Sequence, residues 1–160
     1  MLDDDFVFFR RTGLAGALRL MEQYPEIDLM GGKVINLPRF HVADYSNKPL
    51  YPTKAGPVYP IGSLIGPLPV YDKVANFYVA RTERLRLVGW DPHIKRVEHA
   101  EFFTRARGVL ATVYNEHLQC FHAQTFYDAH YMARRTDPAI LEADRRLIRA
   151  RYWPASERPG

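Results

Sequence analysis

Three groups of side chains in this sequence have the types and spacing to do chemistry. The first is Asp3-Asp4-Asp5, set directly against the apolar run Phe6-Val7-Phe8-Phe9. Neighbouring carboxylates repel by roughly 1 kcal/mol or more per close pair unless a cation lies between them. Hard oxygen ligands one residue apart suit Mg2+ or Mn2+, ions that keep waters and take substrate phosphate oxygens as further ligands. A metal-bridged nucleoside diphosphate is the expected ligand, with a solvated acidic terminus as the alternative. The second group is Glu98, His99 and Glu101, close in sequence to Trp90 and Asp91. Partial burial against aromatic surface there would lift a carboxylate toward neutral pKa and make a general base. The same trio also reads as a capping and salt-bridging cluster with Lys95 and Arg105. The third is a histidine to complete the metal site. His122 is the best placed, with His99, His117 and His130 as rivals, although a lone histidine on an apolar segment is commonly a core residue.

The elements that must position these groups are legible in outline. Leu14, Ala17, Leu18 and Met21 recur at helical spacing behind Thr12, an N-cap candidate, and the helix ends near Tyr24-Pro25. Segments 29–36 and 40–45 read as strands, the first carrying Gly31-Gly32, where backbone could approach a ligand closely. Six of the twelve prolines fall between Pro49 and Pro69 without a period, which suits a substrate-binding or lid loop, or a surface excursion. A buried strand is expected over 74–80, a short helix from Thr82, a break at Gly89-Trp90-Asp91-Pro92, and a helix over 97–107 with Phe102, Phe103 and Ala106 facing the core. Residues 109–114 read as one strand and 120–123 as the start of another. Asp137-Pro138 is an N-cap and N1 pair opening a terminal helix to about Tyr152. Its Arg145, Arg146, Arg149 and Arg151 read as a solvated basic face. The domain reading is residues 1–135 for the chemistry and 136–160 for a terminal helix and tail.

Composition bounds the rest. With 160 residues, 47% of them apolar, the chain can bury one sizeable core. A net charge of +4 does not call for a nucleic acid partner. The single cysteine, Cys120, excludes an intramolecular disulfide and leaves the compartment open. No apolar run reaches the about 18 residues of a membrane span.

In order along the chain, Leu2-Asp3-Asp4-Asp5-Phe6-Val7-Phe8, Asp28-Leu29-Met30-Gly31-Gly32, Asn76 to Leu85, Val88-Gly89-Trp90-Asp91-Pro92 and Glu98-His99-Ala100-Glu101-Phe102-Phe103 resemble the catalytic domain of β-1,4-N-acetylgalactosaminyltransferases and related family 2 type glycosyltransferases. The similarity covers roughly residues 1–123. It implies a GT-A-like α/β fold, a mixed sheet flanked by helices, here without the upstream β/α units that would bind the nucleotide base, as expected of the second half of a catalytic domain. It also implies a UDP-sugar donor, a glycan acceptor and Mn2+ or Mg2+. Carried over by position, Asp5 and Asp3 are metal ligands, with Asp3 also near the donor ribose and Asp4 supporting. Gly31 and Gly32 lie near the donor, with Trp90 and Asp91 counted in the same set, and His122 is a further metal ligand. The base is Glu101 first, then Glu98, with His99 also in the pattern.

Two other classes share some of these residues. Asp3-Asp4-Asp5-Phe6-Val7 satisfies the opening of haloacid-dehalogenase phosphatases, whose late acidic pair is missing here, since Asp128, Asp137 and Asp144 stand apart. A non-catalytic module for RNA or anionic glycans would rest on Arg134, Arg135, Tyr127 and Tyr131.

Overall fold

The computed structural model describes residues 5–42, 44–45, 49–123 and 128–153. In chain order the elements are β1 (Phe6–Val7), α1 (Leu14–Gln23), β2 (Leu29–Asn36), β3 (His41–Val42), β4 (Leu64–Ile65), β5 (Leu68–Pro69), β6 (Tyr78–Ala80), α2 (Thr82–Val88), α3 (Glu98–Ala106), β7 (Thr112–His122), α4 (Ala129–Arg135) and α5 (Pro138–Tyr152). The main sheet runs β1-β7-β2-β3, and β6 pairs with the first half of β2. β2 and β7 are parallel, while β1, β3 and β6 join antiparallel. This is the mixed sheet flanked by helices that the sequence implied.

β2 opens with four consecutive buried residues because both of its faces are covered. On one side Met30 and Val34 pack with Ala17 and Met21 of α1, Phe77, Leu118 and Cys120. On the other, Leu29 packs with Val74, Tyr78 and Phe102, Phe103 and Ala106 of α3. Phe102 and Phe103 are fully buried, each contributing about 2–3 kcal/mol of apolar transfer.

Several boundaries differ from the sequence reading. β7 is one eleven-residue strand rather than two, because its register against β2 jumps between Gly32 and Lys33, from Asn115 to Gln119. The bulge breaks the side-chain alternation that would have marked a continuous strand. Gly13, not Thr12, caps α1 at φ 73°, and a Cβ there would lie 2.4 Å from the His117 carbonyl oxygen. The Thr12 hydroxyl instead accepts from the Phe9 N–H at 2.8 Å. Within the proline-rich segment β4 and β5 form a short hairpin. α5 begins as expected, the Asp137 side chain accepting from the Ala139 N–H at 2.8 Å. Among the described residues no helix is long and apolar enough to cross a membrane.

Candidate functional site

Strand register builds the site. β1 pairs Phe6 with His122, and the Ala123 N–H donates to the Asp5 carbonyl at 2.9 Å, so Asp5 lies beside the end of β7. On the other side of β7, the parallel pairing sets Asn36 opposite His122. The outcome is a side-chain relay across three strand ends. His122 Nε2 lies 3.0 Å from Asp5 Oδ2, and His122 Nδ1 lies 2.7 Å from Asn36 Oδ1. The Asn36 amide is oriented by its own N–H, which donates to the His41 carbonyl at 3.1 Å. Its oxygen therefore faces His122, so Nδ1 carries the donated proton and Nε2 is the nitrogen turned toward Asp5. A ligating histidine is fixed in this manner by an outer partner on its second nitrogen. Asn36 was not among the residues singled out from sequence, where nothing distinguishes it from any strand-end asparagine.

Asp5 and His122 border a cleft of about 380 Å3 together with Lys95, Arg96, Glu98, Tyr131 and Arg135. Glu98 is the first residue of α3, and Lys95 and Arg96 lie in the turn before it. Arg96 Nη1 is buried and has no hydrogen-bond partner among the described residues, a donor suited to an anionic oxygen. Arg135 donates to the Tyr131 hydroxyl at 2.6 Å. The cleft thus holds a carboxylate and imidazole suited to a divalent cation, three basic side chains suited to phosphate, and a second carboxylate. Among the described residues no group of three or more His, Cys, Asp or Glu is placed to hold a metal ion, and Asp5 and His122 meet at the cleft as a pair. Asp3, Asp4 and Tyr127 lie outside the described residues.

The turn that presents Lys95, Arg96 and Glu98 is held by a residue that looked isolated in sequence. Asp144 of α5 is fully buried, and its carboxylate accepts from the backbone N–H of Lys95 (3.0 Å), Arg96 (2.5 Å) and Val97 (3.3 Å). Three N–H groups on one carboxylate make a charge-assisted clamp.

Glu101 is placed away from the cleft. It is fully buried one turn along α3, bonded to Arg105 at 2.7 and 2.8 Å, to the Tyr152 hydroxyl at 3.0 Å and to Arg151. Burial pushes its carboxyl up, but the hydrogen bond and charge of Arg105, with Tyr152 and Arg151, carry it below the ordinary carboxylate value. The upward shift expected of a base is therefore not found at Glu101, and the salt-bridging alternative describes it. His99 is also turned inward, its Nε2 2.5 Å from the Val74 carbonyl and its ring edge-on to Phe103. Desolvation pushes its pKa down to about 4, so it is neutral at pH 7 and donates that hydrogen bond.

Trp90 and Asp91 pack and pair beside α3. Trp90 stacks on Phe102 at 4.4 Å, and Asp91 caps the His93 N–H at 2.9 Å while pairing with Arg151 at 2.6 Å. Arg151 therefore leaves the solvated basic face expected of α5 and ties that helix to α3. The close approach expected at Gly31 and Gly32 is to the chain itself. A Cβ at Gly31 would lie 2.3 Å from Val74, and one at Gly32 2.4 Å from the Leu118 carbonyl oxygen. Of the rival histidines, His117 and His130 are exposed.

Comparison with known proteins gives this arrangement its context. Over 123 residues, 68% of the chain, the sequence is 36% identical to human "Beta-1,4 N-acetylgalactosaminyltransferase 1". This chain is a relative of the β-1,4 N-acetylgalactosaminyltransferases. It is 34% identical to the mouse enzyme of the same name over 122 residues, and 33% identical to mouse "Beta-1,4 N-acetylgalactosaminyltransferase 2" over 112. The matched part spans 22% of the length of each of these relatives. No protein-family model matches the chain. No solved structure matches it either. The relatives named are glycosyltransferases, in line with the resemblance on the motifs and not with a phosphatase.

Proposed function

We propose that this chain carries the metal, diphosphate and base chemistry of a glycosyltransferase that moves a sugar from a UDP-sugar to a glycan hydroxyl. The relatives' names point to N-acetylgalactosamine as that sugar. One observation carries the reading: Asp5 and His122, 117 positions apart, meet at 3.0 Å in a cleft shared with Glu98 and three basic side chains. Asp5 Oδ2 and His122 Nε2 would hold Mn2+ or Mg2+, with Asp3 as a further candidate ligand. Bound there, the ion supplies positive charge at the departing diphosphate. Arg96, Lys95 and Arg135 bind and orient the phosphate oxygens. Glu98 takes the acceptor hydroxyl's proton as its oxygen bonds to the anomeric carbon. The bond from that carbon to the diphosphate breaks, and its electron pair leaves with the nucleotide. Glu98 replaces Glu101 as first choice for the base because it borders the cleft, while both Glu101 oxygens are committed to buried partners.

The test is Mn2+ titration followed by electron paramagnetic resonance, with and without UDP-sugar, on the chain and on Asp5→Asn and His122→Ala. Each variant is expected to lose metal affinity and metal-dependent nucleotide binding. Unchanged Mn2+ affinity in both would remove the assignment.

A further inference from the structure

α3 has no N-terminal cap of its own. Val97 stands in the cap position and makes no capping hydrogen bond with its side chain, so the N–H groups at this end need an acceptor from elsewhere. That acceptor comes from α5, through the three bonds of Asp144 to Lys95, Arg96 and Val97. Seven residues further on, Arg151 pairs with Asp91 at 2.6 Å and with Glu101 inside α3. Asp144, Ile148 and Arg151 follow one another at i, i+4 and i+7 and so share one face of α5, the first two of them buried. Beyond them Tyr152 donates to Glu101 at 3.0 Å and stacks on Tyr51 of the proline-rich segment at 5.2 Å, with Trp153 edge-on to the same ring. One end of one helix thus holds the turn before α3, α3 itself, the loop at Asp91 and the segment at Tyr51. The turn held by Asp144 is the one that brings Lys95, Arg96 and Glu98 to the cleft.

We propose that α5 is a working part of the cleft, beyond the boundary at residue 135 that the sequence suggested, and that Asp144 is a positioning residue for phosphate recognition. It acts through the backbone of Lys95 and Arg96 and is itself occupied by their N–H groups. The inference rests on the proposed function for the ligand, a diphosphate, but on different residues for its geometry. Long basic side chains lose rotamer freedom when they close on an anion, and a backbone fixed in advance lessens the ordering left to do. Releasing the turn returns that ordering to the binding step, and affinity for phosphate oxygens falls. The opposite wall of the cleft is held independently, because Asp5 and His122 are set by the pairing of β1, β7 and β2, to which α5 contributes nothing. Metal affinity and phosphate affinity therefore separate in an Asp144 variant, which general loosening of the fold would not produce.

Calorimetric titration of the 160-residue chain tests this, with Mn2+ alone and then with inorganic pyrophosphate as probes. Asp144→Asn, checked for folding by circular dichroism and held well below its melting temperature, is expected to bind Mn2+ as the parent does. It should bind pyrophosphate at least about tenfold more weakly, the effect of leaving two long side chains to be ordered on binding. Asp144→Glu, which keeps the charge but displaces the turn, should show the same separation. The NMR signal of the Arg96 side-chain N–H should move when pyrophosphate is added to the parent and stay in place in both variants. Met21→Ala, a cavity in the core beside α1, is the destabilised control and should keep both affinities. A smaller loss of pyrophosphate affinity in both Asp144 variants, or Mn2+ and pyrophosphate lost together, would overturn the proposal. So would an equal loss in Met21→Ala, which would mark the effect as one of stability alone. A parent that binds pyrophosphate but no Mn2+ would sink the metal reading of the proposed function and leave this inference to be decided by Asp144 as before. Mn2+ binding with pyrophosphate affinity indifferent to Asp144 would do the reverse.

Discussion

Replacing Asp144 with alanine should cost this chain more stability than any surface substitution, for a reason visible in three distances. The carboxylate, only 1% exposed, accepts from the backbone N–H groups of Lys95, Arg96 and Val97 at 3.0, 2.5 and 3.3 Å. Alanine leaves those donors without partners. Each buried, unsatisfied N–H costs ~1–3 kcal/mol, and with some water entering the vacated space a loss of about 4 kcal/mol is expected. For a chain of this size each kcal/mol shifts Tm by ~2–4 °C, so Tm should fall by about 10 °C. Asp144→Asn keeps the shape and one acceptor oxygen but turns an amide N–H2 toward other donors, and should lose about half as much. Urea denaturation followed by far-ultraviolet circular dichroism gives the free energies. Amide NMR shifts at Lys95, Arg96 and Val97 report whether the turn itself is released. An Asp144→Ala chain within 1 kcal/mol of the parent, with those amide shifts unmoved, would refute the clamp. It would also remove the structural reason for α5 to matter to the cleft, since Lys95, Arg96 and Glu98 follow that turn.

Four further outcomes can be checked. The His99 imidazole takes its proton near 6.5 when unfolded but only at about 4 in its folded, desolvated setting. The unfolded state therefore binds protons first, and stability, fully present above about pH 6.5, should fall by about 3 kcal/mol by pH 4; His99→Gln should flatten that slope in pH-dependent urea denaturation, and an unchanged slope would disprove the cause. Asn36→Leu should weaken Mn2+ binding ~10–100-fold by releasing the His122 ring, with little change in Tm, and equal affinity by paramagnetic resonance would make Asn36 a bystander. Glu98→Gln should cut turnover at least ~100-fold with stability kept, whereas Glu101→Gln should destabilise by about 3 kcal/mol through the stranded Arg105 and Arg151; kinetics and melting of the two variants side by side decide between the carboxylates. Gly32→Ala should destabilise by at least about 1–3 kcal/mol, because its Cβ would lie 2.4 Å from the Leu118 carbonyl oxygen, and a melting curve like the parent's would mean that β7 yields there.

What the sequence determined is what local chemistry determines. The Asp137 cap and Pro138 open α5, segment 29–36 reads as a strand, and Phe102 and Phe103 show which side of α3 meets the core. The motif order also pointed to the relatives that comparison then found. These signals lie within a few residues of each other, where backbone hydrogen bonding and side-chain periodicity suffice. The bulge in β7 escaped that reading because it breaks the periodicity on which it depends.

Only the tertiary structure decided which charged groups meet. Glu98 and Glu101 stand three residues apart with the same chemistry, yet α5 delivers Arg151 and Tyr152 to one and leaves the other at the cleft. Asp144 became a clamp because helix packing set it beneath a turn nearly fifty residues earlier, and Asn36 acquired a role because parallel pairing set it opposite His122. A carboxylate's basicity and an imidazole's orientation are fixed by neighbours within a few ångströms, and in a folded chain those neighbours come from distant sequence.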